Sequence, residues 1–136
     1  MRIQVAGIPA PQGSKRHVGG GRMIEMSRAV GPWREAVRSE TQRAMAGKMP
    51  VTGPVWVTIV FGLPRPKSLP KSQCHPVKRP DVDKLARAVL DGMVAGGAFS
   101  DDSQIVWLQA EKKFSGQVGT GAIIWFGLIG DDDDRH

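Results

Sequence analysis

The sequence predicts an α+β fold, a small mixed β-sheet packed with two helices in the order β-α-β-α-β-β. Three observations carry this. Apolar residues recur at helical spacing in two stretches, 32–46 and 81–95. Four other runs are rich in β-branched and aromatic residues or alternate in polarity, as strands do. Clusters of Gly and Pro separate these segments. A chain of 136 residues suffices for one domain with an unstapled core. That domain is expected over residues 1–130, with 131–136 as a solvated acidic tail.

Residues 2–8 read as a first strand, ended by Gly7, Pro9 and Pro11. Residues 9–24 form a basic, glycine-rich loop that contains Lys15, Arg16 and Arg22. Pro32 suits the first turn of a helix running to Ala46, and Gly47 and Pro50 stop it. Trp33, Ala36, Val37, Ala44 and Met45 supply its inner stripe. The strongest strand is 55–61, β-branched and aromatic almost throughout. Residues 63–80 are a loop in which five prolines alternate with Arg65, Lys67, Lys71, Lys78 and Arg79. The second helix, 81–95, carries Val82, Leu85, Ala86, Val89, Leu90, Met93 and Val94 at helical spacing and ends at Gly96-Gly97. Residues 104–114 and 120–128 read as a final antiparallel pair. The four tryptophans fall within these patterns, which favours core packing over base stacking.

Charge divides the chain. Residues 1–80 carry 14 Lys and Arg against 3 acids, a net of +11, whereas 81–136 carry 5 against 10, a net of −5. The first part suits a polyanion, and the second holds groups that can act on one. Cys74 is the single cysteine, which excludes an intrachain disulfide and a Cys-rich zinc site, and with His75 it reads as an ordinary loop residue. The glycines at 19–21 match no phosphate-binding or dinucleotide pattern, so no nucleotide cofactor is expected. Three histidines give no sign of a Ser-His-Asp arrangement. The start of the chain reads as a strand rather than a leader, and no apolar run approaches a membrane span, so a soluble cytoplasmic protein is expected.

Half of the ten acids after Pro80 lie in 81–102: Asp81, Asp83, Asp91, Asp101 and Asp102. The ordinary role of Asp81 and Asp83 is to cap a helix and complement its dipole. That of Asp101 and Asp102 is to make a turn. A helix folding back toward the sheet would instead bring the clusters together, where carboxylates from separate elements suit one or two Mg²⁺ or Mn²⁺ ions. Asp91 lies four residues after Arg87, a spacing that fits an ion pair as well as it fits catalysis. Lys84 and Arg87 suit either a solvated helix face or a phosphate. A cationic surface leading into clustered carboxylates is what metal-dependent chemistry on a phosphodiester backbone requires.

The runs Arg79-Pro80-Asp81-Val82-Asp83-Lys84-Leu85, Ala88-Val89-Leu90-Asp91-Gly92 and Asp101-Asp102-Ser103-Gln104-Ile105 resemble the RusA family of Holliday junction resolvases. Glu111-Lys112-Lys113 and the stretch from Gly7 to Arg16 fit the same family, and the resemblance runs from residue 1 to about 128. It implies a homodimeric, Mg²⁺-dependent endonuclease, bacterial or phage-encoded, that cuts four-way junctions in DNA recombination and repair. Asp81, Asp83 and Asp102 fall at the family's metal-binding positions, with Asp101 beside them. Arg87 stands where the best-known members carry a catalytic lysine. Arginine keeps the charge but does not donate its proton near neutral pH, so it is assigned to phosphate stabilisation. Phe99-Ser100 departs from the family before the paired aspartates. Lys15, Arg16, Arg22, Lys78, Arg79 and Lys84 are the expected DNA contacts. The other readings are a non-catalytic basic DNA-binding protein and a nuclease for other branched DNA such as flaps.

Overall fold

A computed structural model of the chain describes residues 1–12, 15–18, 22–25, 29–116 and 119–130, with backbone only at 15–18 and 22–25. Its elements are β1 (Arg2–Ala6), β2 (Lys15–Val18), β3 (Arg22–Glu25), α1 (Val30–Ala44), β4 (Val55–Leu63), α2 (Val82–Ala95), a 3₁₀ turn (Asp102–Gln104), β5 (Ile105–Phe114) and β6 (Gly121–Leu128). The α+β class and both helices agree with the sequence reading. The tail 131–136 lies outside the described residues.

Two expectations are corrected. The basic loop at 9–24 contains a two-stranded antiparallel sheet, in which Lys15 pairs with Glu25 and Val18 with Arg22. The last two strands do not pair with each other. The main sheet has the order β1-β6-β4-β5, with β4 parallel to β5 and antiparallel to β6. The reason lies in β4, whose run of apolar residues is buried along nearly its whole length and needs a neighbour on each edge. A parallel neighbour requires a long crossover, which α2 supplies between β4 and β5.

Both helices cover one face of this sheet. Ile3 and Val5 of β1, Val57, Ile59 and Phe61 of β4, and Ile124 and Phe126 of β6 point into a single core with Trp33, Val37, Leu85, Val89, Met93 and Phe99. The helices touch closely because α2 presents glycine to α1. A Cβ at Gly92 would lie 2.7 Å from Cγ1 of Val37, and one at Gly96 would lie 2.6 Å from Cβ of Thr41. Gly121 is required for another reason: at φ +145° it brings β6 so near β1 that a Cβ would lie 2.0 Å from the Val5 carbonyl oxygen.

The opposite face holds the surprise. Trp33 alone of the four tryptophans joins the core. The register places Trp125 beside Thr58, and Trp56 beside Trp107 and Gly127. Trp56 is buried, while Trp107 and Trp125 are half-buried. Three tryptophans therefore line the face away from the helices; Trp56 is buried, as the core-packing expectation has it, whereas Trp107 and Trp125 are not.

Candidate active site

The strap from β4 to α2 ends in a cis Arg79–Pro80 peptide and delivers Asp81 to the start of α2. Asp81 has the extended backbone of an N-cap (φ −74°, ψ 139°), but its side chain accepts no capping hydrogen bond. Among the described residues it pairs with Lys84, at 3.9 Å. Asp83 lies in the first turn, where the helix dipole favours an anion.

The other acidic pair is built differently. Asp101 accepts a hydrogen bond from the Ser103 backbone N–H at 2.9 Å. Gln104 closes a capping box by accepting from the Asp101 backbone N–H at 3.2 Å. The Gln104 amide then donates to the carbonyls of Val51 (3.0 Å) and Gly53 (3.1 Å), which ties the turn to the segment before β4. Asp102 is held at the first position of this fixed turn.

Asp83, Arg87 and Asp91 follow one another at intervals of four residues along one stripe of α2. With Gln12, Leu108 and Asp102 they line a groove of about 490 Å³ between α2 and β5. Gln12 is fixed on both sides, donating its N–H to the Lys84 carbonyl at 2.9 Å and accepting from Arg34 at 2.9 Å. The fold thus brings Asp83 and Asp102 to one groove. Asp81 and Asp101 do not line it. No ion pair joins Arg87 to Asp83 or Asp91 among the described residues, so the sequence-based pairing of Arg87 with Asp91 is not formed.

Electrostatics distinguish the neighbouring aspartates. Hydrogen bonds from Ser103, backbone first and then side chain, hold the Asp101 carboxyl below the usual carboxylate range. Asp102 is pushed above it, chiefly by a hydrogen bond shared with Asp101, then by desolvation and by the charges of Asp101 and Asp91, with Arg87 opposing. A site that resists concentrating negative charge in this way favours whatever positive group enters it.

Asp91 and Gln12 line the groove although neither was among the site residues expected from the sequence. The signal for Asp91 was its distance of eight residues from Asp83, two steps along the same helical stripe. Gln12 carried no local signal, since its place depends on the fold returning the chain to α2. Among the expected DNA contacts, Lys78 and Arg79 are exposed on the strap, and Lys84 stands in the first turn of α2. The side chains of Lys15, Arg16 and Arg22 lie outside the described residues. No helix among those described is long and apolar enough to cross a membrane.

A comparison with curated proteins gives no match. The family model for endodeoxyribonuclease RusA matches residues 6–124, a span that takes in both acidic pairs, the basic strap, both helices, all of β4 and β5 and the first half of β6. By that match, and with the groove its acidic stretches build, the chain belongs to the RusA family of endodeoxyribonucleases, the junction-resolving nucleases of DNA recombination.

Proposed function

We propose that this protein is a homodimeric, Mg²⁺-dependent endonuclease that cuts four-way DNA junctions, with the groove along α2 as its cutting site. The observation that carries the reading is the lining of that groove, where Asp83 and Asp91 of a helix and Asp102 of a separate turn face the same space as Arg87. Nucleases of the family depend on a divalent metal. Hard carboxylate oxygens suit Mg²⁺, which Mn²⁺ can replace. Among the described residues no three acidic, His or Cys groups converge to enclose an ion. Mg²⁺ commonly takes one or two carboxylates and keeps several waters, so the donor set fits it.

In this reading Asp83 and Asp102 hold the ion, with Asp81 and Asp91 contributing further negative charge. A divalent ion held there would supply activation of water and stabilisation of the leaving oxygen. Asp101 supports Asp102 by fixing the turn. Arg87 offers a permanent positive charge to the phosphate and leaves proton transfer to water. Lys15, Arg16, Arg22, Lys78, Arg79 and Lys84 hold the DNA backbone, which gives affinity without base readout.

The dimer contact belongs on the sheet face away from the helices. Trp107, Trp125 and Ile123 are only half-buried there, and Trp56 Nε1 and Thr58 Oγ1 are buried without a hydrogen-bond partner among the described residues. A second copy applied by two-fold symmetry would cover the aromatic surface and match the symmetry of a four-way junction. Light scattering should then give about twice the 14.7 kDa chain mass. The functional test is cleavage of four-way junctions, flaps and plain duplex with and without Mg²⁺. Metal-dependent, paired cuts in the junction support the reading. Equal cutting of flaps would replace it with a general branched-DNA nuclease, and cleavage without metal would remove the groove's assigned role.

A further inference from the structure

We propose that an apolar pocket beside the strap receives one unstacked nucleobase of the DNA, an inference that rests on the junction reading above. The pocket, about 240 Å³, lies where residues 8–9 meet the 63–80 loop, with Leu63 and Phe114 at the ends of β4 and β5 among its walls. Ile8 and Val77, which also line it, are 65% and 72% exposed, so apolar surface stands open to solvent at its edge.

The pocket is held in shape by two cations whose donors are engaged by backbone carbonyls. Arg65 donates to the carbonyls of Gln73 (2.7 Å) and Pro70 (2.6 Å), and its guanidinium lies 4.9 Å from the centre of the Phe114 ring. Lys112 of β5 donates to the carbonyls of Lys78 (2.7 Å) and Pro80 (2.8 Å), fixing the far side of the strap. Walls secured in this way need little ordering when a ligand arrives.

Three features select the occupant. The volume is below the roughly 300–1,000 Å³ of sites for drug-sized ligands, which suits one flat ring system. Most of the wall is proline and apolar side chain, and the prolines lack N–H donors, so what the pocket chiefly offers is contact to a ring face. Lys78 and Arg79 also line it, and the 63–80 loop carries five cations and no acid, which calls for an apolar group attached to an anionic chain. A nucleobase on its sugar-phosphate backbone has that composition. The pocket also adjoins the site, since Pro80 lines it and Asp81 follows directly. At a branch point a base lacks one regular stacking neighbour, which lowers the cost of drawing it out. A base seated here would fix the position of its strand relative to α2.

The test uses a four-way junction with 2-aminopurine at the branch point, whose emission rises when it leaves the stack, titrated with the full-length protein without divalent metal. Wild type should raise the emission severalfold. The double substitution Ile8→Ser with Val77→Ser, both at exposed positions, should abolish the rise and weaken junction binding by about tenfold. Affinity for plain duplex should stay unchanged. Val106→Ser, at an apolar residue 64% exposed elsewhere, should retain the rise. A rise that persists in the double variant, or wild-type binding with no rise, overturns the proposal. A single strand carrying 2-aminopurine separates the two readings. If its emission rises through Ile8 and Val77 while the junction binds no tighter than duplex, the pocket stands and the junction reading falls.

Discussion

Asp81 and Asp101 occupy the same kind of position, just before a helical turn, and the protein uses them differently. Asp101 is engaged with the Ser103 N–H, and Gln104 anchors its turn to Val51 and Gly53. Asp81 has the backbone of a cap but makes no capping bond, and it stands 3.9 Å from Lys84. The third residue of each turn decides the outcome. Gln104 can accept from the N-cap backbone and complete a capping box, whereas Lys84 has no acceptor to offer. One acid therefore fixes a turn, and the other makes no capping bond. Position at a helix start does not assign a carboxylate; the partners within three residues do.

The largest expected effect tests this contrast directly. Asp83→Asn and Asp81→Asn should each lower junction cleavage by at least about 100-fold while junction binding survives, because the first removes a charge that holds a hard cation and the second removes the negative charge that supports it from beside the groove. Asp101→Asn should lose about tenfold, acting through the turn that carries Asp102. Cleavage rates on a pre-bound junction decide it, and an equal loss at Asp81 and Asp101 would break the comparison.

A smaller effect is expected within the groove. Arg87→Met should slow cleavage by about 10- to 100-fold and Arg87→Lys by only a few-fold, since charge near the phosphate matters more there than the shape of the fork. Single-turnover rates measure it. If Arg87→Lys were as slow as Arg87→Met, a bidentate contact would be the better account.

The smallest effect is on stability, and it has opposite signs in the two neighbours. The Asp101 carboxyl is held low, so its contribution is present above the unfolded carboxylate value and is lost as pH falls through its lowered folded value. Asp102 is held high, so its ionised form opposes folding near neutral pH and the opposition disappears as pH falls through the raised value. In metal-free protein at pH 7, Asp101→Asn should lower Tm slightly and Asp102→Asn should raise it slightly. Both differences should vanish in acid, where the wild-type carboxyls are protonated. Thermal scans across that range check the signs.

Much of this was legible in the residues. Periodicity located both helices, and the separation of the two aspartate pairs pointed to the family. The pairing of the last strands was not legible, because alternation in residues 104–128 specifies faces and not neighbours. It was the unbroken apolar run of β4 that demanded two edges. The second sheet face was missed for a related reason, since a tryptophan in a strand pattern carries no mark of which side the helices cover. The capping box was present as Asp101-Asp102-Ser103-Gln104, and reading it would have separated Asp101 from Asp102.

The central claim is that Asp83 and Asp102 share one cation-binding groove while Asp101 serves the turn. Calorimetric titration of the DNA-free protein with Mn²⁺ tests it most directly, on wild type and on Asp83→Asn, Asp102→Asn and Asp101→Asn. The account predicts that Asp83→Asn and Asp102→Asn each weaken binding by at least about tenfold, and that Asp101→Asn stays within about threefold of wild type. Wild-type affinity in the Asp83 and Asp102 variants, or loss of binding in Asp101→Asn alone, would contradict it.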